Sequence, residues 1–477
     1  MSDARSQLVA AGMSAREAAR KQALLDRAEA ALVRLPGVDA GVLFRFWVPG
    51  RIEFLGKHTD YAGGRSLLCA AERGMCVVVA PRRDGRLRVH DAITGDVLDQ
   101  RMSEHASLEA TSPPGHWSTY VRAVAARVVR NFPAPLIGAD IALASDLPQA
   151  TGMSSSSALV VATFLALARV NDIQARDAYR RAIQTREQLA EYLGTVENGE
   201  SFGELAGERG VGTFGGSEDH TAILCARAGK LLQYAFCPVR LERTIPFPKD
   251  HVLVVATSGV AAEKTGAVRE RYNRLSKMIV EILERWQSAT GERYSTLAAA
   301  IDASPGAAEN IRQLLRAEAA DPGGAERPSG PGADAAARHA RFEQFLLESN
   351  TLIPAAADAI AEDDLARLGG LVDHSQLAAE KLLGNQIPET IFLARQARAL
   401  GAIAASAFGA GFGGSVWALV PDVDAAAFQT RWAEDYAMAF PVAARGSEVL
   451  ITHAGPGAVE VREAGGGRRA KLAPEGG

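Results

Sequence analysis

The chain has 477 residues, 47% hydrophobic and 23% charged, with 52 Lys and Arg against 56 Asp and Glu for a net charge of −4. That length suits two or more domains and that balance a globular protein, with neither the basic stripe of a nucleic-acid binder nor a membrane-surface patch. Scattered cysteines (Cys69, Cys76, Cys225, Cys237) without CxxC or zinc spacing, an N-terminus without an apolar signal core, and no long uncharged apolar run predict a cytoplasmic protein with no nucleic-acid or membrane partner; a monomer or weak homo-oligomer is the expected state, which these features do not determine.

Residues 14–34 (SAREAARKQALLDRAEAALVR) predict an amphipathic helix behind a Ser14 N-cap. Strand-like runs follow in VLFRFWVPG, SLLCAAE, MCVVVAPR and LRVHDA, with RRDGR at 82–86 as a hairpin signal. The stretch RIEFLGKHTDYAGGRS, 51–66, reads as too polar for a core strand. Helices are expected over 117–131, over 154–171 as a buried one, and over 174–196 as a more exposed one. DIALASDLP, KLLQYAFCPV and HVLVVATSG (251–259) read as strands, the last opening a second half, and 266–289 as a helix. Gly, Pro and Ala dominate 317–340, which predicts a mobile insertion; helices return at 341–349, 355–368 and 389–399. A Gly-rich loop, 409–414, leads into the strand SVWALV. Strands and helices interleave without regular βαβ spacing or repeats, so the fold class is α+β in two halves. The expected division is an N-terminal helical extension at 1–39, halves at 40–250 and 251–456, and an unstructured tail at 457–477.

The strongest chemical signal is DLPQATGMSSSSALVVATFLALARV, 146–170. A strand-like segment ends at Leu147-Pro148, and a small-residue loop, Ala150 to Ser157, opens an apolar helix. Small residues admit an anion close to backbone N–H groups, and the helix N-terminus adds partial positive charge. The serines offer hydroxyls to phosphate oxygens or magnesium, whereas an N-cap with extra serines is the plainer alternative; no Walker A pattern occurs. The second glycine-rich loop, FGAGFGG at 408–414, together with the first suggests a nucleotide held from two sides. Arg51 is a candidate to stabilise a transferring phosphoryl group. Asp60 and Asp219 are candidate carboxylates to orient a substrate hydroxyl and accept its proton.

Three blocks in order, PGRIEFLGKHTDYAGG, LPQATGMSSSSAL and GAGFGGSVWALV, resemble the signatures of the GHMP small-molecule kinases, most closely the galactokinase family. HWSTYV, VEN, GGSED and DHSQL support the resemblance, which spans about 40–455. It implies a two-domain fold, with an N-terminal half like ribosomal protein S5 domain 2, a ferredoxin-like C-terminal half, and the active site between them. It also implies transfer from ATP, with Mg2+, to the anomeric hydroxyl of galactose or a close relative. By position it implies Arg51 and Asp219 as catalytic residues, and His58, Asp60 and Gly216 with the residue at 57 around the sugar. Gly152, Met153, Ser154, Ser155, Ser156, Ser157 and Gly411 would surround the phosphates, with Ser156 and Glu197 at the metal; Glu208 competes with Glu197 for that role.

The sugar end departs from the family. Lys57 stands where the family has a glutamate that accepts from the 6-hydroxyl, and lysine only donates. Glu53 replaces an asparagine, Gly266 aligns with a sugar-contacting tyrosine, Ala150 replaces a glycine and Phe408 a threonine. Two readings of Lys57 follow: it pairs with the carboxylate of a uronic acid, or it pairs internally with Glu53 while the pocket takes galactose or a related sugar. Arabinose, fucose and a heptose phosphate are further sugars. A non-catalytic sensor is disfavoured because Arg51, Asp219 and the serine loop are present, and a non-sugar alcohol is disfavoured by HTDY.

Overall fold

In the computed structural model, residues 4–102, 116–133, 135–148, 152–260, 266–319 and 331–462 are described. Thirteen strands among them form two sheets. The first sheet is built on β1 (Phe44–Leu55) and β2 (Arg65–Arg82), with β3 (Arg86–Asp91), β4 (Val97–Arg101) and β5 (Gly138–Ser145) beyond them in the order β1-β2-β5-β3-β4. β6 (Lys230–Ala235) and β7 (Arg240–Pro246) extend it from the other end of β2. The second sheet is antiparallel, from β8 (His251–Thr257), β9 (Ala404–Phe408), β10 (Ser415–Pro421) and β11 (Val449–Thr452), in the order β11-β8-β10-β9. The chain then returns to the first sheet through β12 (Ala454–Gly455) and β13 (Val459–Val461), which pair with β2 and β1. The architecture is therefore α+β in two sheets, as the interleaved pattern predicts.

Several local expectations are corrected. The polar stretch at 51–55 is part of buried β1, because Arg51 and one oxygen of Glu53 find partners distant in sequence. The two runs read as separate strands are one strand of 18 residues, β2. RRDGR joins β2 to β3, but the two do not pair: β5 lies between them, antiparallel to β2 and parallel to β3. The segment 174–196 breaks into Asp177–Ala182 and Arg186–Asn198, and the second helix is largely buried. Within the expected insertion, Pro331–Leu346 is a helix; 320–330 lies outside the described residues. The tail begins later than expected, since Val459–Val461 is a strand; 463–477 lies outside the described residues.

The helix Ala15–Val33 starts as predicted, with Ser14 accepting from the Glu17 N–H, and buries Leu25, Ala28 and Leu32 against Trp47, Cys76 and Val78 of the first sheet. The opposite sheet face carries the main core, against the helices Ser118–Asn131 and Ser155–Val170. Between Pro49 and Arg51 the β1–β2 register slips, an irregularity of the kind that re-aims a side chain beside a site. Gly50 is required there, since a Cβ would sit 2.9 Å from the Met153 carbonyl oxygen and closer still to Leu147.

Candidate active site

The slip in β1 aims Arg51 into a cleft partly open to solvent, and Glu53 lines the same cleft. Both halves contribute to it: residues from 51–61, the helix start at Ser157, Glu197, the segment 215–220, Tyr272, and Gly409-Ala410 of the second glycine-rich loop.

Arg51 is its hub. Its Nε donates to Asp219 Oδ1 at 2.6 Å and its Nη1 to the Gly152 carbonyl at 2.8 Å. Glu218 Oε1 lies 3.6 Å from Nε and Glu53 Oε2 3.8 Å from Nη2. Burial opposes the charged form, but Asp219, Glu53 and Glu218 outweigh it, and the guanidinium pKa is raised. Asp219 is held on its other oxygen by the Ser157 hydroxyl at 3.3 Å, and Ser157 donates to Glu197 Oε1 at 2.7 Å. The predicted catalytic pair is thus brought together from positions 168 residues apart.

The first glycine-rich loop is tied to this hub, as the Arg51 N–H donates to the Met153 carbonyl at 3.3 Å. Gly152 has φ 78°, and Ser154 is left-handed at φ 59°. The helix Ser155–Val170 has no side-chain cap, and the buried Ser154 Oγ has no hydrogen-bond partner among the described residues. An uncapped helix N-terminus beside an orphan hydroxyl is suited to an anion. Ala150 lies outside the described residues. The second loop abuts the first: a Cβ on Gly409 would lie 3.0 Å from the Gly152 carbonyl oxygen.

Two placements differ from expectation. The serine that meets Glu197 is Ser157, not Ser156, because one residue rotates a helical side chain by about 100°. Gly411 packs on Asn385 and does not line the cleft; Gly409 and Ala410 do. Glu197 lies in the cleft, whereas Glu208 pairs with Arg130 at 3.5 Å outside it.

At the other end, Asp60, His58 and Gly216 line the cleft. Asp60 Oδ2 accepts from the Glu218 N–H at 3.2 Å, and Gly216 lets that carboxylate approach. His58 Nε2 faces the Ala410 carbonyl at 3.0 Å, which assigns the proton to Nε2 and leaves Nδ1 to accept from Tyr61 at 2.9 Å. Arg341 donates to the His58 carbonyl and to the Tyr61 hydroxyl, clamping the HTDY turn, and burial pushes the Tyr61 phenol up to about 12.

Lys57 does not line the cleft. It is 1% exposed, and its Nζ donates to Ser375 Oγ at 2.9 Å. Ser375 in turn donates to Glu348 Oε1, which also accepts from the Gly56 N–H. Lys57 lowers the Glu53 pKa through space, but its hydrogen bond runs to Ser375. The reading in which it grips a substrate carboxylate finds no support in this placement.

Four cleft residues escaped assignment from the sequence. Tyr272, the only tyrosine of the helix Gly266–Thr290, lines the cleft and packs on the His58 ring at 5.1 Å between centroids. Its phenol is raised well above the ordinary range, by burial first and then by Asp60. His220 is 1% exposed, with Nε2 3.3 Å from Glu197. Glu218 accepts from Ser66 Oγ at 2.7 Å, and burial followed by Glu53 raises its pKa well above the ordinary range. Burial likewise raises Glu53 to about 7, with Arg51 and Lys57 opposing. The signal for His220 and Glu218 was their adjacency to Asp219 in SEDH.

Among the described residues no cluster of three or more His, Cys, Asp or Glu could hold a metal unaided, and no helix is long and apolar enough to cross a membrane.

The galactokinase galactose-binding signature matches residues 39–81, the GHMP kinases N terminal domain 119–203, and the GHMP kinases C terminal domain 356–437. The galactokinase of Roseiflexus sp. (strain RS-1) is 27% identical over 404 residues, 84% of this chain and 88% of the relative. That of Actinobacillus succinogenes is 26% identical over 396 residues, 82% of this chain and 88% of the relative. The crystal structure of Lactococcus lactis galactokinase complexed with galactose covers 88% of this chain and 96% of its own, with a TM-score of 0.69 at 20% identity, a likeness of fold.

Proposed function

We propose that the chain is a galactokinase-like GHMP kinase that uses ATP to phosphorylate the anomeric hydroxyl of galactose or a closely related sugar. The observation that carries the proposal is the Arg51–Asp219 pair, buried where the serine loop meets the HTDY turn.

Asp219 offers its carboxylate to the attacking hydroxyl, orienting it and accepting its proton, while the Arg51 and Ser157 bonds hold the carboxylate in place. Arg51 sits between that carboxylate and the Gly152 carbonyl, where its charge stabilises the transferring phosphoryl group and the developing alkoxide. The uncapped N-terminus of Ser155–Val170 and the Ser154 hydroxyl receive the phosphates. The donor set fits Mg2+, which takes one or two protein oxygens and completes its shell with phosphates and water; Ser157 and Glu197 would hold it. When bound, the ion neutralises charge on the β- and γ-phosphates. Asp60, His58 and Tyr272 form the sugar wall.

A coupled ADP-release assay with Mg-ATP over galactose, galactosamine, N-acetylgalactosamine, galacturonate, arabinose and fucose tests the proposal. Sugar-dependent ADP release with a galacto-configured sugar is expected. Release independent of every sugar, or none at all with folded protein, refutes it.

A further inference from the structure

The cleft has a charge imbalance that the mechanism leaves over. Five carboxyl-bearing residues, Glu53, Asp60, Glu197, Glu218 and Asp219, line it against one guanidinium. Asp219 is held by Arg51 and Ser157, and Glu197 belongs with Ser157 at the phosphate end. Glu53 and Glu218 have no such assignment, and neither is more than 5% exposed.

Glu53 is the sharper of the two. Its Oε2 accepts from the Gly409 N–H at 3.2 Å, but its Oε1 is buried and has no hydrogen-bond partner among the described residues. A buried acceptor left unmet is costly, and a carboxylate more so. The cations near it are shared: Lys57 is bonded to Ser375, and Arg51, whose Nη2 lies 3.8 Å from Glu53 Oε2, gives its hydrogen bonds to Asp219 and Gly152. Both His58 ring nitrogens face protein partners. A negatively charged substrate would worsen the imbalance. A neutral hydroxyl would satisfy one lone pair and leave the charge, whereas an ammonium supplies three donors and the missing positive charge.

We propose that the sugar this cleft prefers carries a protonated amine, and that Glu53 is the specificity-determining residue that reads it. The proposal rests on the sugar-kinase reading above and narrows its substrate to a hexosamine. Acetylation removes the charge and adds bulk, so an N-acetylated sugar is rejected. Glu53 acts on binding and discrimination, while Arg51 and Asp219 carry the transfer.

The experiment compares galactosamine, galactose and N-acetylgalactosamine as substrates of the full chain near neutral pH. Isothermal titration of each sugar into nucleotide-free protein runs alongside. Galactosamine is expected to show at least a tenfold advantage in kcat/KM over galactose, carried by KM and matched by the titration. Glu53→Gln should erase that advantage, bringing the ratio of kcat/KM for galactosamine to that for galactose, and the ratio of their titrated affinities, close to one. Equal or better use of galactose by the unaltered chain overturns the inference and leaves the sugar-kinase reading standing, without needing the variant to fold. An amine preference that survives in folded Glu53→Gln overturns the assignment of Glu53. Silence with every sugar refutes the kinase reading itself, and the inference with it.

Discussion

Replacing Lys57 by Glu separates the two roles the sequence allows this residue. Lys57 is 1% exposed, and its ammonium lies within a buried set of Ser375, Glu348 and Glu53. Removing one member of a buried charged set costs ~3–5 kcal/mol, because the partners stay buried. A carboxylate placed there adds repulsion: at ~5 Å and an effective dielectric of ~20 each like-charge pair costs ~3 kcal/mol, unless a proton is taken up. With an unfolding entropy of ~2.1 cal/mol/K per residue, a chain of this size loses ~1 °C per kcal/mol, so Lys57→Glu should lower Tm by at least ~3–5 °C. The drop is larger if the halves melt separately. Lys57→Met should lose less, since Ser375 still donates to Glu348. Differential scanning fluorimetry gives Tm, and the ADP-release assay gives the ratio of kcat/KM for galactose to that for galacturonate. That ratio should not change in Lys57→Met. A Lys57→Glu protein that melts normally and moves its preference between neutral and acidic sugars would show that Lys57 faces the substrate, refuting its assignment to Ser375.

Arg51→Ala and Asp219→Asn should each lower kcat by ~10²–10³ in ADP release, and near-native turnover in either would remove that residue from the transfer step. Glu53 predicts a pH dependence of stability. Its folded pKa of about 7 lies above the ordinary 4.5, so the folded state binds more protons and stability falls as pH rises between those values. The loss approaches ~3 kcal/mol, Glu218 contributes with the same sign, and Glu53→Gln should flatten the Tm profile; an equally steep profile in that variant would clear Glu53 of the effect. Lys21 is fully buried on the N-terminal helix and pairs with Glu17 and with Asp146, which precedes the serine loop. Lys21→Met should lower stability by ~3 kcal/mol and raise KM for ATP more than KM for the sugar; an unchanged ATP KM would confine the pair to a structural role.

What the sequence discloses and what it hides divide along a physical line. The helix Ala15–Val33, the buried helix after the serine loop and the strands β8 and β10 were legible, because their apolar period and caps are local. The RRDGR turn was legible as a turn but not as a link between non-adjacent strands, since the insertion of β5 between β2 and β3 is decided some 55 residues later. The same limit governs the site. Arg51 and Asp219 could be named because each lies in a short motif, yet nothing local says that Ser157 rather than Ser156 turns towards Glu197; that depends on where the helix begins. Lys57 is the clearest case. One substitution at a sugar-reading position admits either a new substrate charge or an internal pairing, and the first loses its support because the side chain has a partner 318 residues away in Ser375. Once Lys57 is turned out of the cleft, Glu53 and Glu218 remain inside it and share the one Arg51 guanidinium with Asp219. The charge that bears on substrate choice is therefore the negative one that stayed, not the positive one that first draws notice.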